Sequence, residues 1–285
     1  MLGYLAELIV RGVLLGAVYG LLALPMSLTF VTVGSIDFAL GAYAVLAAAV
    51  GASVSGVFGM AAGLAAALAA ASVMAAIFAG LKRAGVDEPI TISLASFGLA
   101  VAIGSLILWR WGTAAFVRHS FDDVWVVLGI RLGPQSLLNF ALGLALLAIV
   151  WALLYRTGLG RMMRAAAINP TGAELAGIPV TALQTGTFVS GGLLGGIAGL
   201  LILFSAGLDF TAGLSLTLSG FGAAILFGAH GPVRAFLGGI LMGVVEALSA
   251  GLASGAVSAM APLVVIMIVL ALGTVGGARF SGDRP

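Results

Sequence analysis

Few residues in this chain could do chemistry, and their scarcity narrows the reading. Twelve Lys and Arg, ten Asp and Glu, two His and no Cys are spread over 285 residues. Two acids stand inside apolar runs. Asp37 lies in the run Gly34–Gly41, GSIDFALG, and Glu246 in Leu237–Gly251, LGGILMGVVEALSAG. A carboxylate at bilayer depth is costly unless it is paired or wetted, so each marks a pathway, a proton site or a structural hydrogen bond. For Asp37, the neighbouring Gly34, Ser35 and Gly41 predict either a carboxylate at an interrupted helix or a cap at the membrane surface. Phe38, Tyr43 and Phe210 are the aromatics that would line an apolar pathway beside it; helix or lipid contacts are the plainer alternative. The two histidines, His119 and His230, fall in different loops and predict no metal site. No nucleophile and base arrangement emerges, so hydrolysis has no support, and the glycine-rich run Gly186–Gly199 lacks the lysine of a phosphate loop.

The elements that must position these residues are membrane helices. Hydrophobic residues make up 62% of the chain and charged residues 8%, against roughly 25% charge in a soluble domain. The sequence therefore predicts an all-α polytopic membrane protein, a single transmembrane domain over residues 1–285. The small net charge, +2, offers nothing for nucleic acid. Forty-three glycines suit helices that approach closely in lipid. Glu7 and Arg11 precede an apolar run long enough to span, which argues against a cleaved signal peptide.

A span needs about 20 apolar residues, and the charges divide the chain into eight or nine candidates, some short or interrupted. They lie near Val13–Thr32, two within Phe38–Leu81 with a turn at Gly51–Gly59, then Ile90–Leu108, Leu137–Tyr155, Gly186–Ala206, a short Gly213–Gly228, Ala235–Ala253 and Ser258–Gly276. Trp109–Ser136 reads as a loop. Lys and Arg are enriched in cytoplasmic loops. Grouping Lys82, Arg83, Arg156, Arg161, Arg164, Arg234, Arg279 and Arg284 on that side leaves four basic residues opposite, with the amino terminus outside. A weak internal repeat is also predicted. Gly12–Leu24 and Gly191–Leu203 agree at eight of thirteen positions, and each is followed by an Asp-Phe pair. Such duplication is common in transporters, with interrupted segments beside the pathway.

Between the spans, residues 156–185 form a polar segment. In Gly160–Ile178, Asn169 followed by Pro170 signals a helix start, and Gly177 supplies the left-handed residue that ends it after about two turns. A compact surface helix of this kind suits a protein partner; Arg161 and Arg164 could equally meet lipid phosphates.

This segment resembles the cytoplasmic signature of the branched-chain amino acid permease family of ABC importers. The likeness runs through Gly160, Arg161, Arg164, Ala165 and Ala167, then Ala173, Leu175, Gly177 and Ile178. Gly12–Ala23, Ile36–Tyr43 and Leu237–Gly251 are similar to the first permease subunit of such systems. The resemblance implies a bacterial inner-membrane importer with a second homologous permease, two cytoplasmic ATP-binding subunits and a periplasmic substrate-binding protein. It also implies that this chain holds no cofactor, ATP and Mg belonging to the partner ATPases. The segment would then be the coupling helix, docking through exposed Arg161 and Arg164 and a small-residue face of Ala165, Ala166 and Ala173. The chain departs from the pattern at Asp37 to Gly41, where members associated with branched-chain amino acids carry N-F-A-H-G, so the solute extends to other amino acids, amides or carboxylates. The alternative from the residues alone is a proton-coupled secondary transporter using Asp37 or Glu246.

Overall fold

A 32-residue helix, α1 (Leu2–Val33), sets the frame of the computed structural model, which describes residues 2–118, 125–127, 130–229, 231–252, 261, 263–268 and 271. It is longer than the predicted span because the polar start is helical too: Glu7 and Arg11, one turn apart, form an ion pair at 2.6 Å. Pro25 lies within the helix and does not end it. In sequence order there follow α2 (Leu40–Ser53), α3 (Gly56–Arg83), α4 (Pro89–Trp111), α5 (Pro134–Arg156), α6 (Gly158–Ile168), α7 (Pro170–Leu175), α8 (Val180–Ser205), α9 (Ala212–Leu226) and α10 (Pro232–Leu252). The expected loop 109–136 is partly structured. It contains the end of α4, the start of α5 and a two-stranded antiparallel hairpin, β1 (Trp125–Val127) with β2 (Ile130–Leu132).

Among the described residues six helices are long and apolar enough to cross a membrane: α1, α3, α4, α5, α8 and α10. The shorter apolar helices α2 and α9 occupy two further candidate regions. The ninth, Ser258–Gly276, lies mostly outside the described residues. Of the eight or nine candidates, some expected to be short or interrupted, the described residues hold six long helices and two short ones. The fold is that of an all-α multi-pass membrane protein with one small hairpin.

Small residues govern the packing. Along α1, Gly12 and Gly16 lie against the backbone of α10: a Cβ on Gly16 would stand 2.5 Å from Ile240 Cα, and one on Gly12 2.6 Å from Val244 Cα. From the other side, Gly239 and Gly243 of α10 abut Gly20 and Gly16. The two helices touch backbone to backbone, which in lipid substitutes dispersion and close fit for a hydrophobic driving force. Tyr4 near the start of α1 donates to the Gly251 carbonyl near the end of α10, so the pair is antiparallel. The core is built from α1, α2, α8 and α9, with Tyr43, Phe188, Leu21, Leu22 and Leu203 fully enclosed.

The internal repeat has a physical counterpart. α1 and α8 are each followed by a glycine in the left-handed region, Gly34 and Gly207, both at φ 78°. An Asp-Phe pair and a short helix come next. Asp37 accepts from the Ala39 N–H at 3.0 Å; Asp209 accepts from the Thr211 and Ala212 N–H groups at 2.8 and 3.0 Å. The two short helices meet at their amino-terminal ends, where Gly41 lies on the Gly213 carbonyl. They then diverge, α2 toward Leu200 at Gly51 and α9 toward Leu22 at Gly220, the arrangement of an inverted repeat.

The contact between α1 and α10 yields a test of stability. Gly16→Leu is expected to destabilise the folded chain by about 3 kcal/mol or more, since an added side chain must separate two backbones. Gly80→Leu on α3, where a Cβ meets nothing within 4 Å, is expected to leave stability unchanged. Thermal unfolding of both variants in detergent measures the difference.

Candidate functional site

Asp37 sits where the chain leaves α1, and the structure places it neither at the surface nor in an open channel. Residues 34–39 are not helical, and they lie at depth: the Phe38 N–H donates to Ser96 Oγ at 2.9 Å. Ser96 is seven residues into α4, about 10 Å along its axis. The neighbouring Ile36 N–H donates to Ser93 Oγ at 3.1 Å. Ser96 in turn donates to a carbonyl of its own helix, that of Ser93, at 2.8 Å. The Gly41 N–H is taken by Thr217 Oγ1 of α9 at 2.9 Å. Hydroxyls of α4 and α9, together with the Asp37 carboxylate, thus replace the hydrogen bonds that a continuous helix would have supplied.

Of the two alternatives its sequence context offered, the structure has the carboxylate at an interrupted helix and not the cap at the membrane surface. It accepts from the Ala39 N–H just ahead of α2, and it is enclosed within the broken backbone, 2% exposed. Its second oxygen lies toward the hydroxyl of Tyr43, itself fully buried in α2, and close to Gly191 of α8. Tyr43 and Gly41 therefore belong to the interior of the break. Phe38 and Phe210 lie farther out, on the flank where α4 packs; Phe38 stands edge-on to Phe97. Ser93, Ser96, Phe97 and Thr217 were not singled out in the sequence, because single serines, threonines and phenylalanines on apolar helices carry no pattern of their own.

Glu246 is elsewhere. It faces Tyr19 of the adjacent helix α1. Tyr19 is fourteen residues before the end of α1, about 21 Å along the helix, so Asp37 and Glu246 form no common relay. Arg234 is twelve residues before Glu246 on α10, too far along the helix to pair with it.

The polar segment resolves into two helices. Thr157 caps α6, its Oγ1 accepting from the Gly160 N–H at 3.2 Å. Asn169 caps α7, Oδ1 accepting from the Gly172 N–H at 2.9 Å, with Pro170 at the first helical position. At the end of α7, Ile178 N–H bonds the Ala173 carbonyl and Gly177 N–H that of Glu174, both at 2.9 Å, with Gly177 at φ 79°. This is a Schellman motif, which a residue with a Cβ would strain.

The side chains of this segment sort differently from the expectation. Arg161 and Ala165 are exposed. Arg164 is tied down: its guanidinium donates to the Leu154 carbonyl and lies 5.2 Å from the centre of the Tyr155 ring. Gly160 lies tightly on the backbone of Leu153 and Leu154. Ala166 and Ala173 are buried with Leu154, Met163, Val180 and Leu183 in a small core of their own, so they join α6 and α7 to α5 and α8 and offer no docking face. Ala167 lines a cavity of about 200 Å³ with Ser27, Thr32, Arg164 and Pro232. The exposed apolar residues are Leu175, 87% exposed, Ile168 and, less so, Leu159.

A chain of polar contacts runs from α7 to the helix break. Glu174 of α7 faces Lys82 at the end of α3 at 3.8 Å. Lys82 Nζ donates to Gln184 Oε1 of α8 at 2.7 Å, and Gln184 Nε2 donates to the Thr32 carbonyl of α1 at 2.8 Å. Thr32 stands two residues before Gly34, at the start of the break. The basic residues Lys82 and Arg164 are thereby gathered with α6 and α7 at one end of the bundle. His119, His230, Asp122 and Asp123 lie outside the described residues.

Comparison with known proteins agrees with this architecture. The chain matches the family described as branched-chain amino acid transport system / permease component over residues 8–272. It is 27% identical over 242 residues to the probable branched-chain amino acid transport permease protein LivH of Methanocaldococcus jannaschii, covering 80% of this chain and 76% of that protein. It is 26% identical to the high-affinity branched-chain amino acid transport system permease protein LivH of Escherichia coli K12, over 96% of each. A nucleoside ABC transporter permease protein, NupC of Lactococcus lactis, is 30% identical over 160 residues, 51% of this chain and 49% of that protein. No solved structure matches. The match over nearly the whole chain, on a bundle of apolar helices with a capped helical segment at its basic end, shows that the chain belongs to the branched-chain amino acid transport permease family, as a LivH-like permease of the ABC transporter class.

Proposed function

We propose that this chain is a permease subunit of an ATP-driven importer in a bacterial inner membrane. It works beside a second homologous permease, with two ATP-binding subunits on the side of α6 and α7 and a periplasmic binding protein opposite. ATP and Mg belong to the ATP-binding subunits. The solute is a small polar molecule, an amino acid or a related amide or carboxylate; the nucleoside permeases among the relatives widen that class. The observation that carries the reading is the polar chain from Glu174 through Lys82 and Gln184 to Thr32. It joins a rigid, doubly capped surface helix to the break that follows α1. A pull on α7 by a closing ATPase dimer would reach that break through one ion pair and two hydrogen bonds.

Docking is assigned to Arg161, Leu175 and Ile168, which are exposed, with Gly160, Arg164, Ala165, Ala167, Asn169, Ala173, Gly177 and Ile178 holding the shape of the segment. Leu175→Glu combined with Ile168→Glu is expected to abolish co-purification of the ATP-binding subunits while the permease still inserts in the membrane. Undiminished co-purification would remove the docking role from this surface.

Transmission has a separate test in proteoliposomes holding the complete complex. Gln184→Leu is expected to lower solute uptake by about 5- to 150-fold, the usual range of a coupling free energy, while ATP hydrolysis persists. Uptake by the lone chain on a proton gradient would instead establish the secondary-transporter reading based on Asp37 or Glu246.

A further inference from the structure

Two crevices open on one flank of the bundle, stacked along α4. The first, about 580 Å³, lies toward the end that bears α6 and α7; Phe30, Ser35, Ile36, Ile90 and Leu94 are among its walls. The second, about 170 Å³, lies between α2, α4 and the start of α9, with Ala42, Val101, Phe210 and Leu214 among its walls. Phe97 lines both. Its ring meets Phe38 edge to face, centroids 6.0 Å apart and planes at 90°, so the aromatic pair separates the two spaces.

Three features set this flank apart from a surface that merely faces lipid. Leu94, Phe97 and Val101 follow the i, i+3, i+7 spacing of a single helical stripe, and they are 64%, 43% and 53% exposed. Nothing among the described residues covers them, yet the surface they help form is concave at two levels. The non-helical backbone of residues 34–38 borders the first crevice, and such backbone at membrane depth is tolerated only when buried in protein or facing a water-filled space. Finally, Ser35 Oγ, buried at 2% exposure and lining that crevice, has no hydrogen-bond partner. A buried hydroxyl left without one is costly and marks a place for a polar ligand atom.

We propose that this flank is the solute pathway of the chain, that Phe38 and Phe97 form its gate, and that the second permease supplies the facing wall. The solute it fits has an apolar or planar face that slides past the two rings and a polar group that pairs with Ser35. The proposal deepens the permease reading and rests on it.

The chain contains no cysteine, so single cysteines can be introduced with no background from this chain, and the complex without an introduced cysteine gives the baseline. Leu94→Cys and Val101→Cys, each in the assembled, nucleotide-free complex, are treated with a charged, membrane-impermeant thiol reagent from one side of the membrane and then from the other. Leu94→Cys is expected to react only from the side bearing α6 and α7, and Val101→Cys only from the opposite side. Adding Phe97→Ala is expected to abolish this sidedness, with Leu94→Cys reacting from both. If neither cysteine reacts, the flank faces lipid and the proposal fails. If both react from either side with Phe97 intact, the gate fails. Labelling needs no transport, so the expected pattern in a complex that takes up no solute would count against the importer reading and leave the pathway standing. Full uptake with silent cysteines would do the reverse.

Discussion

The structure depends on one constraint: a peptide group in hydrocarbon must find its hydrogen bond within the protein. The helices α1 to α10 meet it along their own axes. Residues 34–39 do not, and much of the local sequence answers them. Ser93 and Ser96 on α4 take two N–H groups, Asp37 takes a third and Thr217 a fourth. Each donor bond fixes a distance between elements, so α4 and α9 are positioned by the break as well as by their packing. An unsatisfied group here would cost about 1–3 kcal/mol, a substantial part of the stability of any fold.

Close backbone contact supplies the other half of the design. Hydroxyls reach across only if the helices lie near one another, and glycine brings them near. Gly41 rests on the Gly213 carbonyl beside Thr217, and Gly195 lies near the Leu40 carbonyl. The same economy explains why α1 and α10 associate along a stripe of Gly12, Gly16, Gly239 and Gly243. Asp37 and Asp209 do the same local work where α2 and α9 meet, each accepting backbone N–H groups at the start of its short helix. Only the first is enclosed. Asp209 binds Thr211 by its side chain as well as its backbone at a more open site, and so needs no neighbour like Tyr43.

What was legible in the sequence was what local chemistry determines. The Asn169-Pro170 start and the Gly177 stop of α7 follow from capping rules that act within a few residues, and the structure has both. The turn between α2 and α3, predicted at Gly51–Gly59, falls between Ser53 and Gly56 for the same reason. Span lengths were less legible, since charge marks where a helix becomes polar and not where it ends: α1 begins at Leu2 because Glu7 and Arg11 satisfy each other on its surface. Burial of Ala166 and Ala173 escaped notice because an alanine carries no sign of which face it serves; only the docking of α6 against α5 decides. The partners of the break escaped as well. Ser93 lies 57 residues from Ile36, and Thr217 176 from Gly41, separations over which composition and periodicity say nothing.

The break acquires its mechanical meaning from what converges on it. Thr32, the last receiver of the polar chain from α7, is three residues from Ser35 and six from Phe38. Lys82 and Gln184 are long, flexible side chains, but each is pinned at both ends, Lys82 between Glu174 and Gln184, Gln184 between Lys82 and the α1 backbone. A displacement of α7 is therefore shared among α3, α8 and α1 rather than absorbed by one of them. Of these three, only α1 is followed by a segment whose hydrogen bonds pass to other helices. Continuous helices resist local change because each bond is reinforced by its neighbours; the six-residue break has no such reinforcement. On the proposed reading, motion arriving at the basic end is spent there, at the wall that carries Ser35 and Phe38. A rigid surface helix, a polar link and the weak stretch of backbone after α1 are then sufficient to convert docking at one end of the bundle into a change of shape beside the pathway.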